Sequence, residues 1–92
     1  MKIEFSQKAY QRLDALAVYI FEQSGSKKTT AAYIKKLRHY IIDTLSHFPG
    51  AGRPAEDLTP NTRKLVYQGF SIIYRIVNER IEILTIYREN LP

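Results

Sequence analysis

The stretch TRKLVYQGFSIIYRIVNERIEILTIYR, residues 62–88, sets the architecture around which the other elements must pack. Most of its residues are β-branched, aromatic or otherwise apolar, and such side chains fit a pleated, partly buried surface. Gly69 and the pair Asn78–Glu79 interrupt the stretch, and Gly and Asn tolerate the positive φ of tight turns. The pattern predicts three short antiparallel strands, at about 62–68, 70–77 and 80–88.

Alternation along the middle strand divides its side chains between the two faces of the sheet. The set expected beneath the helices is Phe70, Ile72, Tyr74 and Ile76. The set expected to face outward is Ser71, Ile73, Arg75 and Val77. Because the outward set includes apolar side chains, and exposed apolar patches mark interaction sites, we expect a partner to cover part of it.

The residues before this stretch predict one further strand and two helices. Lys2–Phe5 alternates polar and apolar side chains, which indicates a strand that joins a sheet edge in either direction. Ser6 and Ser26 are N-cap candidates for helices that end near Gly25 and His47. The expected buried stripes are Tyr10, Leu13, Leu16 or Ala17, Ile20 and Phe21 in the first helix, and Ile34, Leu37, Ile41, Leu45 and Phe48 in the second.

Residues 49–61 contain two prolines and two glycines near their start and predict a loop. The element order is therefore β-α-α-β-β-β, a helical hairpin packed on a small, mostly antiparallel sheet. This is an α+β arrangement, and its length of 92 residues indicates a single domain, 1–92.

Charge and composition narrow the classes of protein and partner. The net charge of +5 and the pI of about 9.6 favour an anionic partner such as nucleic acid, the ribosome or an acidic protein. The absence of cysteine excludes a disulfide framework and thiolate chemistry. The sequence has neither the apolar core of a signal peptide nor an apolar run that would span a membrane. We therefore expect a cytoplasmic protein with no membrane partner.

The residues able to perform chemistry are cations and tyrosines. No cofactor is expected, and no metal either, because His39 and His47 do not supply the four converging donors of a tetrahedral site. The remaining cluster is Arg63, Lys64, Arg75, Tyr87 and Arg88. Fixed cations would stabilise a pentavalent phosphate while RNA is cleaved by its 2′-OH, with the tyrosine transferring the proton. Alternatively, the two strand arginines pair with Glu82, Asp57 or the chain terminus.

Four short motifs follow one another through the second half of the chain. They are Phe48-Pro-x-x-Gly52-Arg53-Pro54, Thr62-Arg63-Lys64-Leu65, Gly69-Phe70-Ser71-Ile72-Ile73-Tyr74-Arg75-Ile76 and Ile81-Glu82-Ile83-Leu84. Their order and spacing resemble the RelE/ParE superfamily of toxins, and most of all its ParE branch. The resemblance implies the toxin of a type II toxin–antitoxin pair, which a ParD-like antitoxin neutralises by folding its C-terminal segment onto the toxin in a hetero-oligomer.

The resemblance implies one of two activities. ParE toxins inhibit DNA gyrase without catalysing a reaction, whereas RelE toxins cut mRNA in the ribosomal A site. Lys64 matches a basic strand position of the nucleases, but Ser71 stands where they place an arginine. We therefore predict a non-enzymatic gyrase inhibitor that arrests growth and stabilises plasmids. Its predicted partner-binding residues are Arg53, Arg63, Arg75, Tyr87 and Arg88.

Two alternatives stay open beside this prediction. One is a ribosome-dependent mRNA endoribonuclease with the catalytic set Lys64, Arg75, Tyr87 and Arg88. The other is a small basic interaction module without toxicity, because a fold does not guarantee an activity.

Overall fold

The computed structural model of the protein describes residues 1–57 and 59–89, and within them the predicted elements are present. The elements are β1 (Lys2–Phe5), α1 (Gln7–Ser24), α2 (Lys27–His47), β2 (Arg53–Pro54), β3 (Arg63–Tyr67), β4 (Phe70–Val77) and β5 (Arg80–Arg88). The strands form one sheet in the order β1-β5-β4-β3-β2, in which β1 is parallel to β5 and the other pairs are antiparallel. Both helices pack on one face, which confirms the predicted α+β class.

Short-range signals account for the limits of the helices. The Ser6 hydroxyl accepts the Ala9 N–H at 3.0 Å, and the Ser26 hydroxyl accepts the Thr29 N–H at 3.1 Å. Gly25 ends α1 in the left-handed region at φ 68°, which a residue without Cβ adopts freely. Such a short connection makes the helices antiparallel neighbours. In the part of the chain that the structure describes, no helix is long and apolar enough to cross a membrane.

The sheet shows the predicted tight turns and one strand that the sequence does not predict. Gln68 and Gly69 have positive φ between β3 and β4, and Asn78 and Glu79 have positive φ between β4 and β5, as two-residue hairpin turns require. The unexpected strand is β2, a two-residue edge strand inside the predicted loop 49–61. The composition of this segment predicts a loop. A strand of two residues is too short to show a detectable alternation of polar and apolar side chains. Leu58, in the same loop, lies outside the described residues.

Three aromatic side chains predicted to be buried in the helical stripes are exposed: Tyr10, Phe21 and Phe48. The buried stripe of α1 begins instead at Ala9 and continues through Leu13. The middle of the stripe is as predicted, because Leu13 and Leu16 are buried and Ile20 packs against the core, and only the end positions Tyr10 and Phe21 differ. Phe48 is 67% exposed because α2 ends at His47 and the following backbone is no longer helical.

The two faces of β4 are buried differently from the prediction. Phe70, Ile72 and Tyr74 do lie in the core, as expected. Ile76 is 40% exposed because the core cluster ends at Tyr74 on this strand. On the opposite face, Ser71 and Ile73 are buried in the isolated chain. The chain's own atoms cover this part of the face, and the exposed members of the outward set begin at Arg75.

Candidate functional site

The sheet face opposite the helices is termed the helix-free face. Its members follow from the register, because residues directly opposite one another on neighbouring strands point to the same side. They include Arg53, Lys64, Val66, Ser71, Ile73, Arg75, Glu82, Thr85 and Tyr87. Glu89 joins them just after β5, where its backbone N–H donates to the Gly69 carbonyl at 2.9 Å. This face holds four of the six predicted site residues.

A compact polar cluster lies at the end of the helix-free face nearest the β3–β4 turn. The Glu89 carboxylate pairs with the Lys64 ammonium, and the Ser71 hydroxyl donates to the same carboxylate oxygen at 2.5 Å. The Lys64 Nζ also lies 5.9 Å from the centre of the Tyr87 ring. Hydrogen bonds from Lys64 and then Ser71 hold the pKa of Glu89 below its ordinary value. The cluster is therefore a charge-assisted network centred on one carboxylate.

Arg75 belongs to a different ion-pair group further along the same face. Its Nε donates to Glu82 Oε1 at 2.6 Å, and this hydrogen bond is the main reason that the pKa of Glu82 is lowered. Glu82 also lies 3.7 Å from Arg80, which in turn lies 3.8 Å from Glu4. On β4, Arg75 is two residues from Ile73, which lies opposite Lys64, and four residues from Ser71, so roughly 7 Å and 13 Å of strand separate it from these two positions of the cluster.

Arg88 and Arg63 lie on the helix side of the sheet. Arg88 is opposite Phe70, and its guanidinium carbon lies 4.6 Å from the centre of the Tyr19 ring on α1. Arg63 is opposite Tyr74, and its Nη1 donates to the Gly52 carbonyl at 2.7 Å.

Among the residues that the structure describes, the contact within the alternative catalytic set is the one between Lys64 and Tyr87. Arg75 faces the same side but pairs with Glu82, and Arg88 lies on the other side of the sheet. The predicted pairing of Arg75 with Glu82 is present. The other predicted partner, the chain terminus at Pro92, lies outside the described residues.

The Tyr74 side chain fixes the loop that leads to Arg53 through two hydrogen bonds. The Tyr74 hydroxyl accepts the Gly52 N–H at 2.9 Å and donates to the Pro49 carbonyl at 2.7 Å. Burial raises the pKa of this phenol, so it stays neutral and can donate. A Cβ at Gly52 would lie 2.7 Å from Tyr74 Cε1, so only glycine allows this approach. Arg53 is consequently presented at the sheet edge on a fixed backbone.

A second candidate surface is the groove between α1 and α2 on their side away from the sheet, termed the helix groove. It is a shallow, open groove of about 990 Å³, and its apolar lining includes the exposed side chains of Val18, Phe21 and Ile42. Lys27, Lys35 and Arg38 contribute cations to the same lining. The groove is therefore apolar along its length and basic at its margin.

Sequence reasoning did not identify two of these features. Val18 and Ile42 lie outside the predicted buried stripes, and their apolar character on the outer side of the helices was a usable signal. Glu89 offered none, because its meeting with Lys64 depends on strand pairing between residues 25 positions apart. Within residues 1–57 and 59–89, no three His, Cys, Asp or Glu side chains come close enough to hold a metal ion.

Comparison with known proteins gives one matching family and similar solved structures. The sequence profile of the ParE toxin of type II toxin–antitoxin systems, parDE, matches residues 3–90. The structure of a chromosomal ParDE toxin–antitoxin system from P. aeruginosa has a TM-score of 0.83 and 27% identity, and covers 96% of this chain and 95% of that one. The toxin–antitoxin complex RelBE2 from Mycobacterium tuberculosis has a TM-score of 0.68 and 20% identity over 95% of each chain, a likeness of fold. The search of curated proteins gives no match.

Proposed function

Because the chain belongs to the ParE toxin family of type II toxin–antitoxin systems, we propose that it arrests bacterial growth by inhibiting DNA gyrase in the cytoplasm, without catalysing a reaction of its own. The observation that carries this proposal is that two of the cations that a nuclease would need, Arg75 and Arg88, are held by other groups of the chain. Stabilising a phosphoryl transition state requires several positive donors within hydrogen-bond reach of one phosphate. Arg75 is paired with Glu82, and Arg88 lies on the other side of the sheet.

Lys64, another cation of the alternative nuclease set, is also poorly placed for catalysis. The Lys64 ammonium is engaged by Glu89 and its side chain is only 11% exposed, so it meets a phosphate only if Glu89 is first displaced. Arg53 and Arg75 are the exposed members of the predicted partner-binding set. We assign them to contact with gyrase, while Arg63 supports the loop that bears Arg53.

The test is a pulse of expression in bacteria that lack the antitoxin, followed by measurement of DNA supercoiling and mRNA integrity in the same cells. Loss of supercoiling with intact transcripts is expected. Codon-positioned cuts in translated mRNA with normal supercoiling would overturn gyrase inhibition in favour of the endoribonuclease. Unimpaired growth would favour an interaction module without toxicity.

The variant Tyr87→Phe removes one oxygen atom and thereby distinguishes gyrase inhibition from RNA cleavage. A phenol hydroxyl that transfers a proton is indispensable to a nuclease, whereas a non-catalytic inhibitor keeps most of its contact area when this oxygen is removed. We expect the variant to retain gyrase inhibition within about threefold, a difference of less than 1 kcal/mol. Tyr10→Phe, on exposed α1 surface, is the matched control. Loss of toxicity in the Tyr87 variant alone would contradict the inhibitor assignment.

The helix groove is the proposed docking surface for a cognate ParD-like antitoxin, as both similar structures are toxin–antitoxin systems. Its apolar lining suits the apolar face of a helix, and its cations suit acidic flanking residues. Val18→Asp should weaken antitoxin binding by at least about tenfold, because a carboxylate would lose its water against the apolar face of the docked helix. Phe48→Asp is the control, since Phe48 is exposed outside the groove. Equal weakening by both variants in calorimetric titrations would contradict this assignment.

A further inference from the structure

The Glu89 carboxylate occupies a set of donors that would suit an external anion equally well. One of its oxygens pairs with the Lys64 ammonium and accepts a hydrogen bond from the Ser71 hydroxyl. Arg53 lies beside them, opposite Lys64 across the β2–β3 pair, and adds a third positive or donor group at the exposed sheet edge. A cation, a hydroxyl and a nearby guanidinium are the groups that bind carboxylate and phosphate oxygens in proteins.

The donors are fixed by the sheet, whereas the carboxylate is the exchangeable component. Ser71 is fully buried in the middle of the β3–β4–β5 ladder, and Lys64 lies within β3 with a ladder on both sides. The backbone positions of both residues therefore do not depend on which anion they meet. Glu89 follows the last residue of β5, and its side chain is 33% exposed. Swinging this side chain outward breaks no strand pairing.

We propose that Lys64 and Ser71, with Arg53 at the margin, form an oxyanion-binding site on the helix-free face, and that Glu89 closes it by acting as an internal competitor. The ligand class is a phosphate or carboxylate group. A competitor attached by a few residues acts at an effective concentration of roughly millimolar or more, so the closed site discriminates against weak free anions. A partner that supplies an oxyanion must displace Glu89 to bind here. This inference does not depend on gyrase being the target.

Glu89→Ala in the purified full-length chain tests the proposal directly. Inorganic phosphate and acetate are titrated separately, and the amide resonances of Lys64 and Ser71 are followed by NMR at low ionic strength. We expect the variant to bind one of these anions at least about tenfold more tightly than the native chain. A preference for phosphate assigns the site to phosphate groups, and a preference for acetate assigns it to carboxylates.

Glu82→Ala is the matched control, because it removes one negative charge from the same face but leaves Lys64 paired with Glu89. Equal anion affinities of the two variants would overturn the proposal. So would binding by Glu89→Ala that persists when Lys64→Gln is added. Glu89→Gln, which keeps the side-chain shape, provides the same comparison if the alanine variant does not fold. Because binding is measured on the chain alone, failure of gyrase inhibition leaves this outcome unchanged.

Discussion

At the scale of single residues, Gly52 links the loop to the sheet in a way that no other residue type permits. Its N–H donates to the Tyr74 hydroxyl, its carbonyl accepts from Arg63, and the Lys64 backbone lies 2.9 Å from where a Cβ would stand. The glycine is needed for space and not for an unusual φ, because its backbone is not in the left-handed region. Arg53 owes its position to this packing.

Gly52→Ala should destabilise the fold by about 1–3 kcal/mol, because the new methyl group forces apart backbone and a buried ring. The midpoint of urea unfolding measures the effect, with the slope expected to stay constant. Gly50→Ala is the control, since a Cβ at Gly50 meets nothing within 4 Å. Similar stabilities of the two variants would contradict the close approach.

Glu89 should make stability depend on pH in the acid range. Its pKa is lowered in the folded chain by Lys64 and Ser71, so the unfolded state binds its proton first as the pH falls. The contribution is fully present above the ordinary glutamate pKa of 4.5 and is lost as the pH falls through the lower folded value.

Urea midpoints of the native chain and of Glu89→Gln should therefore converge as the pH is lowered from 7 towards 3. Because Glu82 also has a lowered pKa, the native chain loses stability from both groups, and only the difference between native and variant reports on Glu89. A difference that stays constant over this range would show that Glu89 makes no such contribution.

At the scale of elements, Ser6 joins the first helix to the last strand. Its hydroxyl accepts the Ala9 N–H as an N-cap and donates to the Leu84 carbonyl at 2.8 Å, while its own N–H donates to the Ile83 carbonyl at 2.9 Å. These bonds continue the parallel pairing of β1 with β5 into the start of α1. The orientation of β1, which the sequence leaves open, is therefore tied to the position of this cap.

Ser6→Ala should cost about 2 kcal/mol, because both the cap and the hydrogen bond to β5 are lost. Ser26→Ala removes only a cap, to Thr29, and should cost about 1 kcal/mol. Chemical denaturation of the two variants measures the difference. Equal losses would mean that the bond from Ser6 to Leu84 adds nothing to stability.

A register shift between Ile73 and Tyr74 is the other decisive feature at this scale. It lets β5 change which alternate residues face the helices, so that Ile81, Ile83 and Ile86 are all buried. Strict alternation would place Ile86 on the helix-free face. The same shift leaves Tyr87 on that face, opposite Ser71 and beside Lys64.

At the scale of the whole molecule, the two candidate surfaces lie on opposite sides. The helix groove is apolar with a basic margin, and the helix-free face carries the polar cluster and the exposed arginines. An antitoxin helix in the groove would therefore leave the helix-free face for other contacts, and the net charge of +5 would attract acidic segments to either surface.

Antitoxin association should accordingly slow as salt is added. We expect the association rate to fall on the order of tenfold between about 50 and 500 mM salt, because the Debye length shortens to a few ångströms. Lys35→Gln should lower the rate more than Lys28→Gln, since Lys35 lines the helix groove and Lys28 does not. Stopped-flow measurements check both expectations, and a salt-independent rate would contradict electrostatic steering.

The strands, helices, turns and caps of this protein follow from its sequence, because each depends on residues only a few positions apart. Ser6 and Ser26 cap their helices, and Gly69 and Asn78–Glu79 form the turns, where the pattern predicts them. The motifs also indicate the correct family. The margins of the buried helix faces are less well predicted, as the exposed Tyr10 shows, because the width of a buried stripe depends on what the helix packs against.

Only the tertiary structure decided which side chains meet. The pairing of Arg75 with Glu82, and the stacking of Arg88 on Tyr19, follow from strand register and from the shift at Ile73/Tyr74. Glu89 reaches Lys64 because β3, β4 and β5 are aligned by hydrogen bonds between distant segments. Such pairings depend on the free energy of the whole packed core, and no local pattern of residues encodes them.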